Sequence, residues 1–410
     1  MIFRSPKVAA QTRIAAVFAF LLVGCNDSAI PPIAERVQEP VAEETTADEV
    51  VADESGDAVA AVDQGTEDSA TGLPGSNASA EAAAASKQSE LQALADSSKS
   101  DSEGQLTELH FRSGPVTDEI ASELGQCSEL VKLTINHSEM SLDGWGQLAK
   151  LSELQQFDLR GCEVDNEQLA AAVRGMPKLR ALRLNGQSGD TTVDDLAMEA
   201  LKDCKALKAL ALDHLWVGGD GLSELAGLNN LAELYLAGTL VEDDAMKVIA
   251  QFKGLKKLRL AQTSVGDAGM EAITALPLED LDLSECSQIN NGALAHIGSI
   301  PSLKKLNLFK TVISDEGVSQ LAGLQQLAWL NVDQTPVSDL GLKSIGQLGQ
   351  LKFLHLGSTA VTDGGMPSLG GLKALEKLIV TRTAVTESGV EPLQKGSSKL
   401  EVQLKYVEGS

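Results

Sequence analysis

One pattern of leucines and small polar residues recurs along most of this chain and constrains its fold more than any other feature. The unit Leu327–Leu348 reads Leu-x-x-Leu-x-Leu/Val, then Thr, Val, Asp and Gly, then apolar residues at a spacing of three. Successive units lie 23 to 25 residues apart, with one interval of 28. They begin at Leu106, Leu130, Leu154, Leu179, Leu207, Leu231, Leu255, Leu278, Leu303, Leu327, Leu351 and Leu375, with a truncated unit at Leu400. Such a period predicts a solenoid of stacked repeats.

Two periodicities alternate within each unit. In Leu-x-x-Leu-x-Leu the last two leucines alternate with polar residues, which is the period of a strand with one buried face. In Gly341-Leu342-x-x-Ile345-x-x-Leu348 the apolar residues are three apart, which is typical of a helix with one apolar stripe. Neither element buries its apolar side alone, so neighbouring units share a core. We predict an α/β solenoid, with a curved parallel sheet on the concave side and helices on the convex side.

The repeats resemble the leucine-rich-repeat family over residues 105–410, as about twelve repeats and a terminal half repeat. After eight of the strands the usual family asparagine is replaced by Thr or Cys, which resembles the cysteine-containing, ribonuclease-inhibitor-like subclass. The replacing residues are Thr239, Thr263, Thr311, Thr335, Thr359, Thr383, Cys162 and Cys286. That subclass also occurs in F-box substrate receptors of ubiquitin ligases. No F-box-like region precedes the repeats here, so the resemblance implies the fold and not the ligase role.

The first 24 residues are typical of a secretory signal peptide. Arg4, Lys7 and Arg13 precede an apolar run that is too short for a confident membrane span, and Gly24-Cys25 follows. The tetrad Leu22-Val23-Gly24-Cys25 resembles the lipobox of bacterial lipoproteins. That resemblance implies that Cys25 is acylated and anchors the mature protein to a membrane of the bacterial envelope, on its periplasmic or cell-surface side. The alternative is an ordinary cleaved signal with a chance cysteine.

Residues 25–104 are predicted to be a disordered acidic linker. From residue 26 to 104 there are 18 acidic and three basic residues, and no aromatic residue. Such a segment buries too little apolar surface to offset the entropy of ordering. The repeat region, with 27 basic and 40 acidic residues, is also negative, and the whole chain has a net charge of −25. A surface of this sign repels phosphate backbones, so we do not expect nucleic acid as a partner.

The recurrent acidic residue, the cysteines and the histidines invite other interpretations that the spacing disfavours. Aspartates at the start of each helical stripe (Asp118, Asp243, Asp267, Asp315, Asp339 and Asp363) are read as helix-capping residues rather than calcium ligands. Cysteines at like positions lie several repeats apart, too far for a disulfide, and are expected to be buried. No histidine pair has metal-ligand spacing, and no catalytic motif stands out. We therefore expect no cofactor, no metal and no enzymatic activity.

Large side chains gather at outward strand positions late in the repeat region. Phe309, Trp329 and Phe353 fall on three consecutive strands, although aromatic residues are only 3% of the chain. Together with His355 they are predicted to form one patch, because neighbouring strands lie about 4.8 Å apart. Cationic residues flank it at Lys305, Lys310, Lys377 and Arg382. Exposed aromatic clusters are enriched at binding sites. The alternative is that these rings pack on one another and only stiffen the sheet.

The sequence therefore favours a lipid-anchored protein that binds a protein or peptide through the concave face. A second hypothesis is a structural envelope protein that acts by stacking of solenoids. A weaker third hypothesis is an enzyme or an enzyme inhibitor.

Overall fold

The computed structural model describes residues 87–405, in which strands and helices alternate once per repeat. The predicted signal peptide, Cys25 and residues 25–86 of the predicted linker lie outside the described residues. The main sheet has fourteen strands. They are β1 (Ser97–Ser100), β2 (Leu106–Phe111), β4 (Lys132–Ile135), β6 (Gln156–Asp158), β7 (Ala181–Asn185), β8 (Ala209–Asp213), β9 (Glu233–Tyr235), β10 (Lys257–Arg259), β11 (Asp280–Asp282), β12 (Lys305–Asn307), β13 (Trp329–Asn331), β14 (Phe353–His355), β15 (Lys377–Ile379) and β16 (Glu401–Gln403). Two further strands, β3 (Val116–Thr117) and β5 (Ser138–Glu139), pair separately.

From β2 to β16 the main sheet is parallel and each strand pairs with those of the adjacent repeats. The register is in phase, so the central leucines Leu306, Leu330 and Leu354 lie opposite one another on β12, β13 and β14. At the start of each strand from β6 to β15, two N–H groups donate to one carbonyl of the preceding repeat. For β13, the N–H groups of Ala328 and Trp329 donate to the carbonyl of Lys304 at 2.8 and 3.0 Å. Outward residues that are one repeat apart in sequence therefore stand side by side.

Short helices pack on the other side of the sheet, and the apolar stripe of each lies in the core. Residues 87–94 form the helix α1. The others are α2 (Asp118–Leu124), α3 (Leu142–Leu148), α4 (Asn166–Val173), α5 (Met198–Leu201), α6 (Gly219–Glu224), α7 (Asp243–Ile249), α8 (Asp267–Ala272), α9 (Asn291–Ile297), α10 (Asp315–Ser319), α11 (Asp339–Ile345) and α12 (Glu387–Gly396), with 3-10 helices at Asp195–Ala197, Gln320–Gly323 and Met366–Gly371. The apolar repeat positions form one continuous buried cluster. The predicted strand-and-helix architecture is confirmed.

The aspartate at the start of most helices bonds to the next repeat rather than capping its own helix. The cap position belongs to the preceding residue; Ser338, for example, accepts the N–H of Leu340 at the start of α11. Asp315 accepts the N–H of that same Ser338, one repeat further on, at 2.7 Å. Equivalent bonds are made by Asp118, Asp195, Asp243, Asp267, Asp339 and Asp363. The capping expectation is therefore corrected: these carboxylates connect consecutive repeats.

The glycine that follows this motif makes room for the carboxylate of the preceding repeat. A Cβ on Gly341 would lie 2.6 Å from Oδ1 of Asp315, and a Cβ on Gly389 would lie 2.1 Å from Oδ1 of Asp363. The close neighbour of these glycines is therefore the aspartate, which explains why Asp and Gly recur together.

The Thr and Cys residues after the strands donate hydrogen bonds to backbone carbonyls, and all of them are buried except the half-buried Thr383. Thr335 Oγ1 donates to the carbonyl of Val332 at 2.6 Å, and Cys286 Sγ donates to that of Leu260 at 3.0 Å. Cys127, Cys162, Cys204 and Cys286 are free and buried, as expected for small apolar residues. Burial raises the pKa of Cys127 to about 11 and that of Cys162 to about 12. These thiols are therefore suited to packing rather than to reactivity.

The folded region begins earlier than the predicted boundary at residue 105. Residues 87–104 were assigned to the linker, but α1 and β1 form a cap on the first repeat. Leu91 of α1 is buried in the core, and β1 pairs with β2 in antiparallel orientation. The sequence Ser-Ser-Lys-Ser of β1 is exposed along its whole length. Because this strand is held by backbone hydrogen bonds, it carries no apolar alternation that a sequence reading could detect.

Removing one inter-repeat carboxylate should destabilise the protein. In Asp339→Ala the N–H and hydroxyl of Thr362 lose their acceptor, and the free energy of unfolding should fall by about 1–3 kcal/mol. Asp339→Asn should cost much less, because Asn291 at the equivalent position accepts from the N–H of Ser314 and donates to its hydroxyl. Urea denaturation followed by circular dichroism measures both. Equal losses for the two variants would contradict the inter-repeat role.

Candidate binding face

Each strand of the main sheet presents a first, a middle and a last outward residue on the side away from the helices, which we call the open face. On β13 and just beyond it these are Trp329, Asn331 and Asp333, all half-buried. Because the register is in phase, the first residues of consecutive strands form one row, and the middle and last residues form two more. The outward residues of the open face thus form a grid, and the strand pairing gives the neighbours of each residue.

An aromatic stack lies in the first row. Trp329 on β13 and Phe353 on β14 are paired in register, with ring centroids 4.9 Å apart and ring planes within 5° of parallel. The ammonium of Lys305 lies 5.0 Å from the Trp329 ring centroid, in cation–π contact on the side of β12. Lys377 occupies the next position in the row, beside Phe353. The rings are therefore bracketed by two lysines.

A polar cluster adjoins the stack in the other two rows. The His355 ring meets Phe353 edge-on at 6.4 Å, and its Nε2 lies 3.8 Å from the Asp333 carboxylate. Gly357 leaves a notch here, since a Cβ at this position would come within 3.0 Å of Asp333, His355 and Thr381. Oδ1 of Asp333 is buried without a hydrogen-bond partner among the described residues. The cluster thus combines an aromatic edge, an acceptor and an imidazole.

The eight residues predicted to form one patch fall into two groups. Lys305, Trp329, Phe353, His355 and Lys377 lie together in the first and middle rows of adjacent strands. Phe309 instead belongs to the last row, four residues beyond Lys305 on its strand, or about 13 Å away. Lys310 and Arg382 are placed at turn positions after their strands, with φ of +56° and +55°, and Lys310 pairs with Glu285 at 2.9 Å. The sequence prediction placed both groups in one patch because it counted outward positions without distinguishing the rows.

Elsewhere the first row is dominated by ion pairs between adjacent strands. Glu233 pairs with Lys257 at 2.8 Å, and Glu108 accepts from both Lys99 and Lys132 at 3.0 and 3.4 Å. The lysines that bracket the stack also have acidic neighbours: Lys305 lies 3.7 Å from Asp280, and Lys377 lies 3.7 Å from Glu401. The stack is therefore the aromatic part of a row whose charges are largely compensated.

A second polar network in the middle of the open face went unrecognised in the sequence. Arg259 lies between Asp213 and Asp282, with nitrogen–oxygen distances of 3.4 and 3.5 Å. Burial raises the pKa of Asp213, while Arg259 and the N–H of Ala237 oppose that rise. The signal was present as opposite charges on outward positions of nearby strands. It was missed because Asp213 and Arg259 are separated by 46 residues.

The comparisons with known proteins concern the fold. A family model described as Leucine Rich repeat matches residues 299–322. An internalin (inlF) of Listeria monocytogenes has a similar structure, with a TM-score of 0.53 and 20% identity over 79% of this chain and 89% of that chain. The fold is a leucine-rich-repeat solenoid. A leucine-rich-repeat protein of Leptospira interrogans is also similar, with a TM-score of 0.46 and 18% identity over 72% of this chain and 82% of that chain. The search of curated proteins gave no match.

Neither a metal-binding cluster nor a membrane-spanning helix is found among the described residues 87–405. These residues contain no group of three or more His, Cys, Asp or Glu side chains arranged to hold a metal ion. None of their helices combines the length and apolarity needed to cross a bilayer.

The titration of His355 tests the cluster beside the stack. Burial holds the pKa of His355 below its ordinary value; Asp333 opposes this shift and Lys377 adds to it. Asp333→Asn should therefore lower the pKa further, and Lys377→Met should raise it. NMR of the imidazole protons measures each value. A pKa that neither substitution moves would contradict the contacts.

The same shift gives a pH dependence of stability. Because the folded-state pKa is depressed, the unfolded chain binds the proton more readily, and stability falls as the pH drops below about 6.5. His355→Gln should reduce this loss.

Proposed function

We propose that this chain is a binding protein whose open face holds a protein or peptide, with the Trp329–Phe353 stack as the anchor. The observation that carries the proposal is the half-buried aromatic pair in a row where most of the other residues are ion-paired. Aromatic side chains surrounded by polar groups are typical of binding hot spots. The notch at Gly357, with the unpartnered oxygen of Asp333, adds an acceptor for a donor group of the partner.

The alternative, that the stack only stiffens the sheet, predicts a different effect of removing it. Stacking between Trp329 and Phe353 stabilises β13 against β14 whether or not a partner binds. A purely structural pair would contribute to stability alone, whereas a binding anchor would contribute to affinity. The two functions are therefore separated by measuring both quantities on the same variant.

Stacking of solenoids end to end is disfavoured at one end of the repeat region. The first parallel strand, β2, is covered by β1, and α1 inserts Leu91 into the core beside it. Lys99 on this covering strand pairs with Glu108. Polar, lysine-bearing edge strands hinder further strand pairing. A second solenoid would have to displace this cap.

The proposal includes a lipid anchor and an envelope location. The basic start, the apolar run and Leu22-Val23-Gly24-Cys25 support acylation of Cys25 in an exported bacterial lipoprotein. We also propose that the repeats belong to the cysteine-containing subclass. This is supported by Cys162 and Cys286, which follow their strands at the position that Thr holds in six other repeats. An acidic linker between Cys25 and the solenoid would let the open face reach partners at a distance from the membrane.

Trp329→Ala should abolish most partner capture while the fold is retained. The mature protein is used as bait against envelope extracts with a cross-linker, and captured proteins are identified by mass spectrometry. Phe309→Ala is the matched control, because this ring lies on the same face but in another row. Circular dichroism and urea denaturation monitor the fold. Wild-type capture by a folded Trp329→Ala protein would show that the stack is structural.

Cys25→Ser should move the protein from the membrane fraction to the soluble fraction, because a serine cannot take the thioether-linked lipid. Fractionation and immunoblotting of cells that express each form measure the distribution. Cys127→Ser is the control, since this buried cysteine lies in the repeats. Unchanged membrane retention of the Cys25→Ser protein would exclude the anchor.

A further inference from the structure

A second exposed apolar surface lies on the edge of the solenoid where the chain leaves each strand for the following helix. Trp216 is 76% exposed, Leu240 is 62% exposed and Leu196 is 78% exposed. They belong to three consecutive repeats, and we call them the edge ridge. Large apolar side chains at this exposure gain nothing from the core, and grouped ones mark interaction sites.

Backbone contacts place the members of the ridge on adjacent repeats. The N–H of Leu240 donates to the carbonyl of Val217, next to Trp216, at 3.0 Å. Trp216 in turn forms an isolated β-bridge with Asp194, two residues before Leu196. Trp216 and Leu240 are thus equivalent positions of neighbouring repeats, about 5 Å apart along the solenoid.

The loops that carry the ridge are uniformly acidic. Segments 186–196, 214–220 and 238–244 contain no lysine and no arginine. Their acidic residues are Asp190, Asp194, Asp195, Asp220, Glu242, Asp243 and Asp244. Asp190, Asp220, Glu242 and Asp244 are exposed. The ridge is therefore a strip of apolar side chains between carboxylates, with none of the ion pairing that characterises the first row of the open face, apart from Asp244 with Lys247.

The regular repeat is interrupted at the same place. The one interval of 28 residues, from Leu179 to Leu207, contains the longer loop around Gly189 and Asp190. In the following repeat the Thr that follows the strand in later repeats is replaced by Leu215. This leucine is buried and directly precedes Trp216. The departure from the repeat consensus therefore coincides with the exposed Trp216, although the preceding Leu215 is still buried in the core.

We propose that the edge ridge binds a cationic amphipathic peptide segment of a partner protein. Apolar side chains of that segment would cover Trp216 and Leu240, and its lysines or arginines would face the exposed carboxylates. Charge complementarity decides the occupant, because the three loops that carry the ridge hold seven acidic residues and no lysine or arginine. One of the seven, Asp244, pairs with Lys247 of α7. The chain's own residues 26–86 do not fit, since they are strongly acidic and contain Arg36 as their one basic residue. An anionic lipid surface would be repelled by the same carboxylates.

The ridge is separate from the proposed anchor on the open face, which lies in other repeats and on the sheet itself. Trp329 and Phe353 belong to β13 and β14, whereas the ridge follows β7, β8 and β9. Binding at the edge ridge is therefore independent of binding at the open face.

The test measures the binding of a synthetic amphipathic peptide of leucine and lysine to the mature protein. A peptide with glutamate in place of lysine and the same apolar face is the charge control. Fluorescence anisotropy of the labelled peptide gives the affinity. A blue shift of the tryptophan emission that is absent from the Trp216→Ala protein reports burial of Trp216. We expect saturable binding of the lysine peptide that weakens as the salt concentration rises, and no binding of the glutamate peptide.

Variants locate the site. Trp216→Ala and Leu240→Ser should each weaken binding by about tenfold or more, since each removes a large buried contact in the complex. The double variant Asp220→Asn with Glu242→Gln should weaken binding and reduce its salt dependence. The matched control is Val312→Ser, which changes the equivalent edge position of a later repeat, 54% exposed and near Lys310.

Four results would overturn the proposal: no binding of the lysine peptide, equal binding of the glutamate peptide, unchanged affinity of Trp216→Ala, or an equal loss for Val312→Ser. Two other occupants are examined in parallel. Sedimentation of the protein alone measures its oligomeric state. A dimer that the Trp216→Ala substitution dissociates would assign the ridge to a second copy of the chain. Vesicles of phosphatidylglycerol that bind only through Trp216 would assign it to lipid. All single variants replace exposed side chains, so circular dichroism should be unchanged.

Discussion

Each repeat of this protein is positioned by the one before it, through hydrogen bonds that recur with the same geometry. Strand register, the carbonyl that accepts two N–H groups, and the aspartate that accepts the next repeat's backbone N–H all act between neighbours. Such a structure has nearest-neighbour energetics, because few contacts join distant repeats. The glycine opposite each aspartate is part of this constraint, since Gly341 would collide with Asp315 if it carried a Cβ.

The regular spacing has a direct consequence for surfaces. Two residues 24 positions apart in sequence become neighbours about 5 Å apart, so a row on the sheet can accumulate one kind of chemistry without any local sequence signal. Trp329 and Phe353 stack because they hold the same position on adjacent strands. Arg259 reaches Asp213 and Asp282 for a related reason, from the strand between them. The residues of a surface site in such a fold therefore come from similar positions of neighbouring repeats rather than from one continuous segment of the chain.

The repeat period was sufficient to predict the solenoid, its parallel sheet and its buried cysteines. The pairing of Trp329 with Phe353 was also accessible, because it depends on register alone. Three features were not. Phe309 was grouped with the stack because outward positions were counted without distinguishing rows. The inter-repeat role of Asp339 depends on side-chain direction at a helix start, which periodicity does not encode. The cap formed by β1 has the polar sequence Ser-Ser-Lys-Ser, whose pairing comes from backbone groups that every residue carries.

The two surfaces differ in how they would recognise a partner. On the open face most first-row charges already have opposite charges within 4 Å, so a partner gains little from their long-range field and more from burying the rings of Trp329 and Phe353. That form of recognition acts mainly on the rate of dissociation. The carboxylates around Trp216 and Leu240 have no cationic residues in their own loops, so their field extends into solvent and would steer a cationic segment during encounter. Because one surface acts through contact and the other through charge, raising the salt concentration should separate them: affinity at the edge ridge would fall, while affinity at the stack would remain nearly constant.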